Sequence, residues 1–165
     1  MNVAKPHFYL FCIYDHGENV CAEILALVEN HNNWSHLVQS LSKSGHHVHA
    51  LERYSDAVEI LKKNCQIDLI ISDVHLQNGG DVFDFLRWVK MDSARAKTPF
   101  VLLSLEPTPM AKYLEDGIRI SSRMLGASMY IRLDKFDSDR LREQIELLLP
   151  SEKGNSDQFS ANIGE

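Results

Sequence analysis

The chain has 165 residues, 44% of them hydrophobic and 24% charged, which suits one globular domain with an apolar core. Its 17 Lys and Arg against 23 Asp and Glu give a formal charge of -6, which argues against nucleic acid and anionic membranes as partners. Cys12, Cys21 and Cys65 are too few and too widely spaced for a disulfide framework or a CxxC metal site. The apolar run at residues 8–14 is too short to cross a bilayer. We therefore expect a cytoplasmic protein without a membrane anchor.

Three regions are predicted along the chain. Short apolar runs alternate with amphipathic stretches over residues 22–150, which is typical of repeated βα units around a parallel sheet. Residues 1–21 form an N-terminal extension, whose apolar run could add a strand or pack on another subunit. Residues 151–165 are rich in Ser, Asn, Asp and Gly, so we predict a disordered tail there.

Five segments within the central region have the apolar pattern of strands. They are residues 23–28, 47–51, 68–72, 99–104 and 128–133. The third and fourth are continuous apolar runs, which favours strands covered on both faces. The second alternates like a half-buried or edge strand.

Helices are predicted between these strands. Trp34, Leu37 and Leu41 recur at helical spacing, and Gly45 is predicted to end that helix. Ser55 is predicted to cap the second helix. Another apolar stripe at helical spacing, which includes Phe85, predicts a third helix after a Gly-Gly turn, and Asp137 is predicted to cap the last helix. We assign Trp34 and Phe85 to the core.

A longer helical region is predicted between Pro107 and residue 125. Its Met and aromatic residues, among them Met110 and Tyr113, fall on one apolar side together with Leu114 and Met124, so we assign Met110 to the core as well. Gly117 could break this region into two helices.

Polar residues end or follow four of the strands. In an open parallel sheet the carboxyl ends of the strands meet helix N-termini at a crevice that serves ligands rather than the core. The polar residues placed there are Glu29, Asn30, Asp73, Ser104 and Lys135. Two carboxylates, an amide, a hydroxyl and an ammonium group are thus predicted at one edge.

The motifs that carry these residues resemble, in order, the receiver domain of two-component response regulators over residues 22–150. The resemblance rests on LVEN ending at residue 30, DLIISDVHL at 68–76, TPFVLLS at 98–104 and LGASMYI at 125–131. It implies an α/β fold of the flavodoxin-like type, with a doubly wound five-stranded parallel sheet in strand order 2-1-3-4-5.

The resemblance also implies a role for each site residue. In receivers the Asp at the end of the third strand accepts a phosphoryl group from a histidine kinase or phosphotransfer protein. This role falls on Asp73, while Ser104 and Lys135 would contact the phosphoryl oxygens and Tyr130 would be the switch aromatic. The implied Mg²⁺ ligands are Glu29, Asn30, Asp73 and the backbone carbonyl of His75. The expected output is a contact with a downstream protein or a second copy of the chain, with no enzymatic activity beyond self-phosphorylation and dephosphorylation.

The sequence departs from the receiver pattern in ways that affect this reading. Asn30 stands where receivers have a second acid, so Mg²⁺ binding is expected to be weak. The usual Lys position is Leu133, and only a bulge or an early end of the fifth strand would bring Lys135 back. The turn after Asp73 lacks the usual Pro. The interval between Ser104 and Gly126 is longer than usual, which predicts an extended fourth helix or loop.

Two other functions are compatible with the predicted fold. A pseudo-receiver would keep the fold as a constitutive interaction or dimerisation module without phosphoryl chemistry. An enzyme that binds a nucleotide or a small substrate in the same crevice has only the fold in its favour, and no GxGxxG or GxxxxGK[ST] run that would bind a nucleotide follows the first strand.

A zinc site is not predicted among the histidines His31, His46, His47, His49 and His75. The reasoning is that alternating residues of a strand point to opposite faces, and that no Cys or acid completes a tetrahedral set.

Overall fold

A computed structural model describes residues 21–28, 31–63, 66–74 and 81–149, without the side chains at positions 31, 33 and 34. The predicted extension, apart from its last residue, and the predicted tail lie outside these residues. So do three implied Mg²⁺ ligands, Glu29, Asn30 and His75, and the side chain of Trp34.

Five strands alternate with five helices along the described chain. The elements are β1 (Glu23–Leu27), α1 (His31–Lys43), β2 (His47–Leu51), α2 (Tyr54–Lys62), β3 (Leu69–Asp73), α3 (Val82–Met91), β4 (Phe100–Leu105), α4 (Pro109–Met124), β5 (Met129–Leu133) and α5 (Ser138–Glu146). All neighbouring strands pair in parallel, in the order β2-β1-β3-β4-β5. The predicted fold class and strand order are confirmed. None of the helices in the described ranges is long and apolar enough to cross a membrane.

Two apolar layers cover the two faces of the sheet. One contains Leu37 and Leu41 of α1 with Leu141 and Ile145 of α5. The other contains residues of α2 and α3, including Phe85, which is 4% exposed as its assignment to the core requires. Every residue of β3 and β4 is buried. This agrees with their continuous apolar runs, because a strand covered on both faces has no solvent side.

The helix ends follow capping chemistry in most places. Gly45 has a φ of +86° just after α1, and the Asp137 carboxylate accepts the Arg140 N–H at the start of α5. The second helix is present, but the prediction that Ser55 caps it is wrong. Arg53 is its N-cap residue, without a side-chain cap, and Ser55 lies inside the first turn, where its hydroxyl donates to the Asp56 carboxylate.

The fourth helix differs from its prediction in two respects. It runs unbroken through Gly117 for 16 residues and is capped by the Thr108 hydroxyl, which accepts the Ala111 N–H. Its apolar residues are not core, since Met110 is 68% and Tyr113 85% exposed. The spacing placed these residues on one face correctly, but spacing does not specify whether another element covers that face. Ser122 is the one residue of α4 that is buried.

Candidate functional site

Asp73 is the last residue of β3, the strand at the centre of the sheet, and is 8% exposed. It pairs with Leu103 of β4, and the next residue donates its backbone N–H to the Leu103 carbonyl. On the other side, the register that pairs Leu27 with Ser72 brings Val28 level with Asp73. The Asp73 carboxylate therefore lies at the carboxyl edge, between the ends of β1 and β4.

Ser104 lies one position beyond the residue that pairs with Asp73, and it is 1% exposed. Because successive side chains of a strand point to opposite faces, the Ser104 side chain lies on the same face of the sheet as Leu102 and on the opposite face from Leu103. That face belongs to the α2 and α3 layer and includes Tyr130. The register thus brings Asp73 and Ser104 to the same edge from opposite faces of the sheet.

Tyr130 pairs with Leu102 across β4 and β5, and its side chain shares a hydrogen bond with Ser104. Partial burial raises the pKa of the Tyr130 phenol above its usual value, although the hydrogen bond with Ser104 acts in the opposite direction. Two of the predicted site residues are therefore directly joined. The bond ties the buried hydroxyl near the crevice to an aromatic on the strand beneath α4.

Lys135 is exposed, and it follows β5 by two residues. The pairing of β4 with β5 is regular up to the pair Leu105 and Leu133. Neither the bulge nor the early end of β5 that would bring Lys135 back to the usual lysine position is therefore present. Its role stays a prediction.

An ion-pair chain links α4 to the end of β5, and sequence reasoning missed it. The Lys112 ammonium is 2.8 Å from the Asp134 carboxylate, and the Arg132 guanidinium contacts both Asp134, at 3.6 Å, and Glu115, at 2.5 Å. The hydrogen bond from Lys112 lowers the pKa of the Asp134 carboxyl, with a further contribution from the Arg132 charge. We refer to these four residues as the clasp. The two ion pairs that join α4 to the end of β5 link residues 17 and 22 positions apart in sequence, so no local pattern could reveal the clasp.

A second cluster lies at the opposite, amino edge of the sheet. Glu23, the first residue of β1, contacts both His47 and His49 of β2. This cluster contradicts both reasons for not predicting a zinc site, namely the opposite faces of the histidines and the lack of an acid. Residues two apart on a strand share a face, and the acid comes from the neighbouring strand.

Comparison with solved structures gives the class of fold. The chemotaxis response regulator CheY4 of Vibrio cholerae superposes with a TM-score of 0.64 and 22% identity, over 79% of this chain and 100% of that one. A signal receiver domain of a signal transduction histidine kinase from Syntrophus aciditrophicus superposes with a TM-score of 0.63 and 23% identity, over 88% of this chain and 100% of that one.

NtrX from Brucella abortus superposes with a TM-score of 0.67 and 21% identity over 79% of this chain. The match spans 27% of NtrX, so the likeness is to one part of a longer protein. No protein-family model and no curated protein matches the chain. At these identities the similarity establishes the fold, and the receiver fold that the motifs predicted is confirmed.

Proposed function

We propose that the chain acts as a receiver that accepts a phosphoryl group on Asp73 and signals through a protein contact. The observation that carries the proposal is the burial of Asp73, a residue 8% exposed, at the carboxyl edge of the central strand of a receiver fold. A carboxylate is costly to bury unless it serves a partner or a ligand, and this edge is where open α/β sheets bind ligands.

The reaction requires a phosphorylated histidine of a kinase or phosphotransfer protein as donor. A carboxylate oxygen of Asp73 attacks phosphorus, the P–N bond breaks, and its electron pair returns to the imidazole. The product is an acyl phosphate on Asp73. The Ser104 hydroxyl is the neighbouring donor that would bind a phosphoryl oxygen, and its movement toward the phosphoryl group would break its bond with Tyr130. Phosphorylation would thereby change the face that contains Tyr130 and α4.

Mg²⁺ is the metal that this chemistry implies. The residues that would hold it are Asp73, Glu29, Asn30 and the backbone carbonyl of His75. The donor set fits, because it consists of oxygen atoms, which Mg²⁺ prefers, and because Mg²⁺ retains water where protein ligands are few. Bound Mg²⁺ relieves the repulsion between the attacking carboxylate and the phosphoryl oxygens.

The output surface proposed here is the exposed face of α4. Met110, Tyr113, Gly117, Ile120 and Met124 follow each other at intervals of three, four, three and four residues, and the four large side chains among them are 58–85% exposed. A seam with this spacing is the pattern by which one helix packs against another. A Cβ at Gly117 would meet nothing within 4 Å, so the centre of the seam is open to a partner side chain. We refer to these five residues as the α4 seam.

Intact mass spectrometry tests the phosphoryl transfer. The parent chain incubated with Mg²⁺ and acetyl phosphate is expected to gain the mass of one phosphoryl group, and Asp73→Asn is expected to gain none. Asp84→Asn is the matched control, because Asp84 is an exposed carboxylate on α3. A parent chain that gains no mass at saturating Mg²⁺, or an equal gain in Asp73→Asn, would overturn the proposal.

The pseudo-receiver is the second candidate, and the position of Lys135 favours it. With β5 in regular register, the ammonium group that receivers place on the phosphoryl oxygens has no equivalent at Leu133. In that case the same mass measurement shows no gain, and contacts made by the α4 seam do not depend on Mg²⁺ or a phosphoryl donor.

A further inference from the structure

Three metal-ligating side chains meet at the amino edge of the sheet, at the opposite end of the strands from Asp73. Both the Nδ1 atom of His47 and the Nε2 atom of His49 lie 2.7 Å from the same carboxylate oxygen of Glu23. Asp68, which is bonded to Glu23, immediately precedes β3 and lies five residues before Asp73, the last residue of that strand. At about 3.3 Å per residue this corresponds to about 16 Å. The cluster is therefore independent of the proposed phosphoryl site.

The parallel register of β1 and β2 builds this cluster. Glu23 pairs with His47, and His49 lies two residues further on the same face. The two imidazole rings meet edge to face, with 4.6 Å between their centroids. Asp68, just before β3, fixes the backbone of Glu23 from the other side, where its carboxylate accepts the Glu23 N–H at 2.9 Å and its N–H donates to the Glu23 carbonyl at 2.8 Å.

The ligand atoms have the chemistry and the spacing for a borderline divalent metal ion. Two imidazole nitrogens and one carboxylate oxygen form a ligand set used by Zn²⁺, and one that Mg²⁺ does not favour. All three ligand atoms lie within 4.8 Å of one another. Tetrahedral Zn²⁺ with bonds of 2.0–2.1 Å needs separations of about 3.3 Å. The two contacts at 2.7 Å would have to open by only a fraction of an ångström.

The cluster is also accessible to solvent. The side chains of Glu23, His47 and His49 are 40%, 44% and 19% exposed. An ion can enter without opening the core, and the fourth coordination position faces water. We propose that Glu23, His47 and His49 form a binding site for one Zn²⁺ ion or a chemically similar divalent transition metal, with water as the fourth ligand.

Competition between the metal-free chain and a chromophoric Zn²⁺ chelator tests the site. The parent is expected to remove one equivalent of Zn²⁺ from the chelator. His47→Gln and Glu23→Gln are each expected to lose that equivalent or to weaken its binding at least tenfold, since replacing even an outer-shell partner of a metal site typically costs about 10- to 100-fold in affinity. His47 is the most exposed of the three, so its replacement leaves the core intact.

Two control variants separate this cluster from other potential ligands. His36→Gln removes an exposed imidazole on α1, and Cys21→Ser removes the exposed thiol near the start of β1. Both are expected to bind Zn²⁺ like the parent. With Co²⁺ in place of Zn²⁺, the parent should show the visible absorption of a tetrahedral ion, and His47→Gln should not. The proposal is overturned if the parent takes up no Zn²⁺, or if its uptake and Co²⁺ spectrum survive both His47→Gln and Glu23→Gln.

Discussion

Ser104 and Tyr130 are joined by a side-chain hydrogen bond between neighbouring strands, two residues out of register with each other. Ser104 is 1% exposed and Tyr130 is half-buried. The bond couples the hydroxyl proposed to bind a phosphoryl oxygen to the strand that borders α4. Either hydroxyl can be removed by a conservative substitution, so the coupling can be measured.

The first prediction concerns this hydrogen bond. Ser104→Ala and Tyr130→Phe are each expected to lower the free energy of unfolding by about 1 kcal/mol, the typical net contribution of one hydrogen bond. The double variant should lose less than the sum of the two, because the second substitution has no bond left to break. Urea denaturation of the four proteins measures the difference. Strict additivity would mean that the two hydroxyls do not interact in solution.

The second prediction concerns the clasp that holds α4. Ser122 is the one residue of α4 that is fully buried, so we expect the attachment of α4 to β5 to depend on the clasp. Glu115→Gln removes one end of the chain of ion pairs, so backbone amides of α4 should exchange faster with solvent while those of β3 do not change.

Salt provides the control for the clasp. Added salt screens exposed ion pairs, so it should speed exchange in α4 of the parent and have less effect in Glu115→Gln. Asp84→Asn removes an exposed pair with Arg87 elsewhere and should leave exchange in α4 unchanged. Equal exchange in α4 for the parent and Glu115→Gln at low salt would contradict the role of the clasp.

The third prediction concerns the α4 seam. Tyr113→Gln combined with Ile120→Gln should weaken self-association at least tenfold, because both side chains are more than half exposed and lie on the proposed contact line. Met91→Gln removes an equally exposed apolar side chain from α3 and should have no effect. Sedimentation at matched concentration measures the association. Equal association of all three proteins would place the interface elsewhere, for example at residues 8–14. Lys112 is unsuitable for this test because it belongs to the clasp.

The sequence predicted the burial of the strands correctly, but it did not predict the exposure of the apolar face of α4. The runs that became β3 and β4 contain three and four consecutive apolar residues, and a local pattern of that kind can be recognised without knowing the neighbouring strands. The periodicity of α4 likewise placed Met110 and Tyr113 on one face. It could not show that this face is exposed, because burial depends on which element packs there.

For the candidate site, the sequence indicated where Asp73 lies but not which side chains contact each other. Asp73 could be placed because it directly follows a buried run. The bond between Ser104 and Tyr130, by contrast, depends on the register of β4 and β5, and the cluster around Glu23 depends on the register of β1 and β2. Register is a property of paired strands, so a single strand's sequence does not specify it.

The fourth prediction concerns Mg²⁺. Asn30 offers a neutral amide oxygen where the resemblance implies a carboxylate, and the affinity of an oxygen site rises with the charge of its ligands. Asn30→Asp should therefore bind Mg²⁺ more tightly and raise the rate of phosphorylation by acetyl phosphate. Asn32→Asp adds the same charge on the exposed side of α1 and serves as the control. A titration in which both variants bind Mg²⁺ like the parent would remove Asn30 from the metal site.

The fifth prediction concerns acid stability and His46. This residue is 9% exposed, its Nδ1 accepts the Ala22 N–H at 3.4 Å, and its Nε2 has no hydrogen-bond partner among the described residues. Burial lowers the pKa of His46 below the ordinary 6.5, and the negative charge of Glu146 acts against that shift only in part. The folded chain therefore binds this proton less readily than the unfolded chain does.

The sign of the pH effect follows from that difference. Above pH 6.5 His46 is neutral in both states, and the stability is fully present. As the pH falls below 6.5 the unfolded chain takes up the proton first, so the free energy of unfolding falls, with a slope of at most about 1.4 kcal/mol per pH unit for one proton. His46→Asn keeps an acceptor near the Ala22 N–H but cannot titrate, so its stability should fall less between pH 7 and pH 5. His36→Asn, which removes an exposed imidazole, should follow the parent. Urea denaturation across this range decides the point, and parallel curves for the parent and His46→Asn would show that His46 does not carry the acid sensitivity.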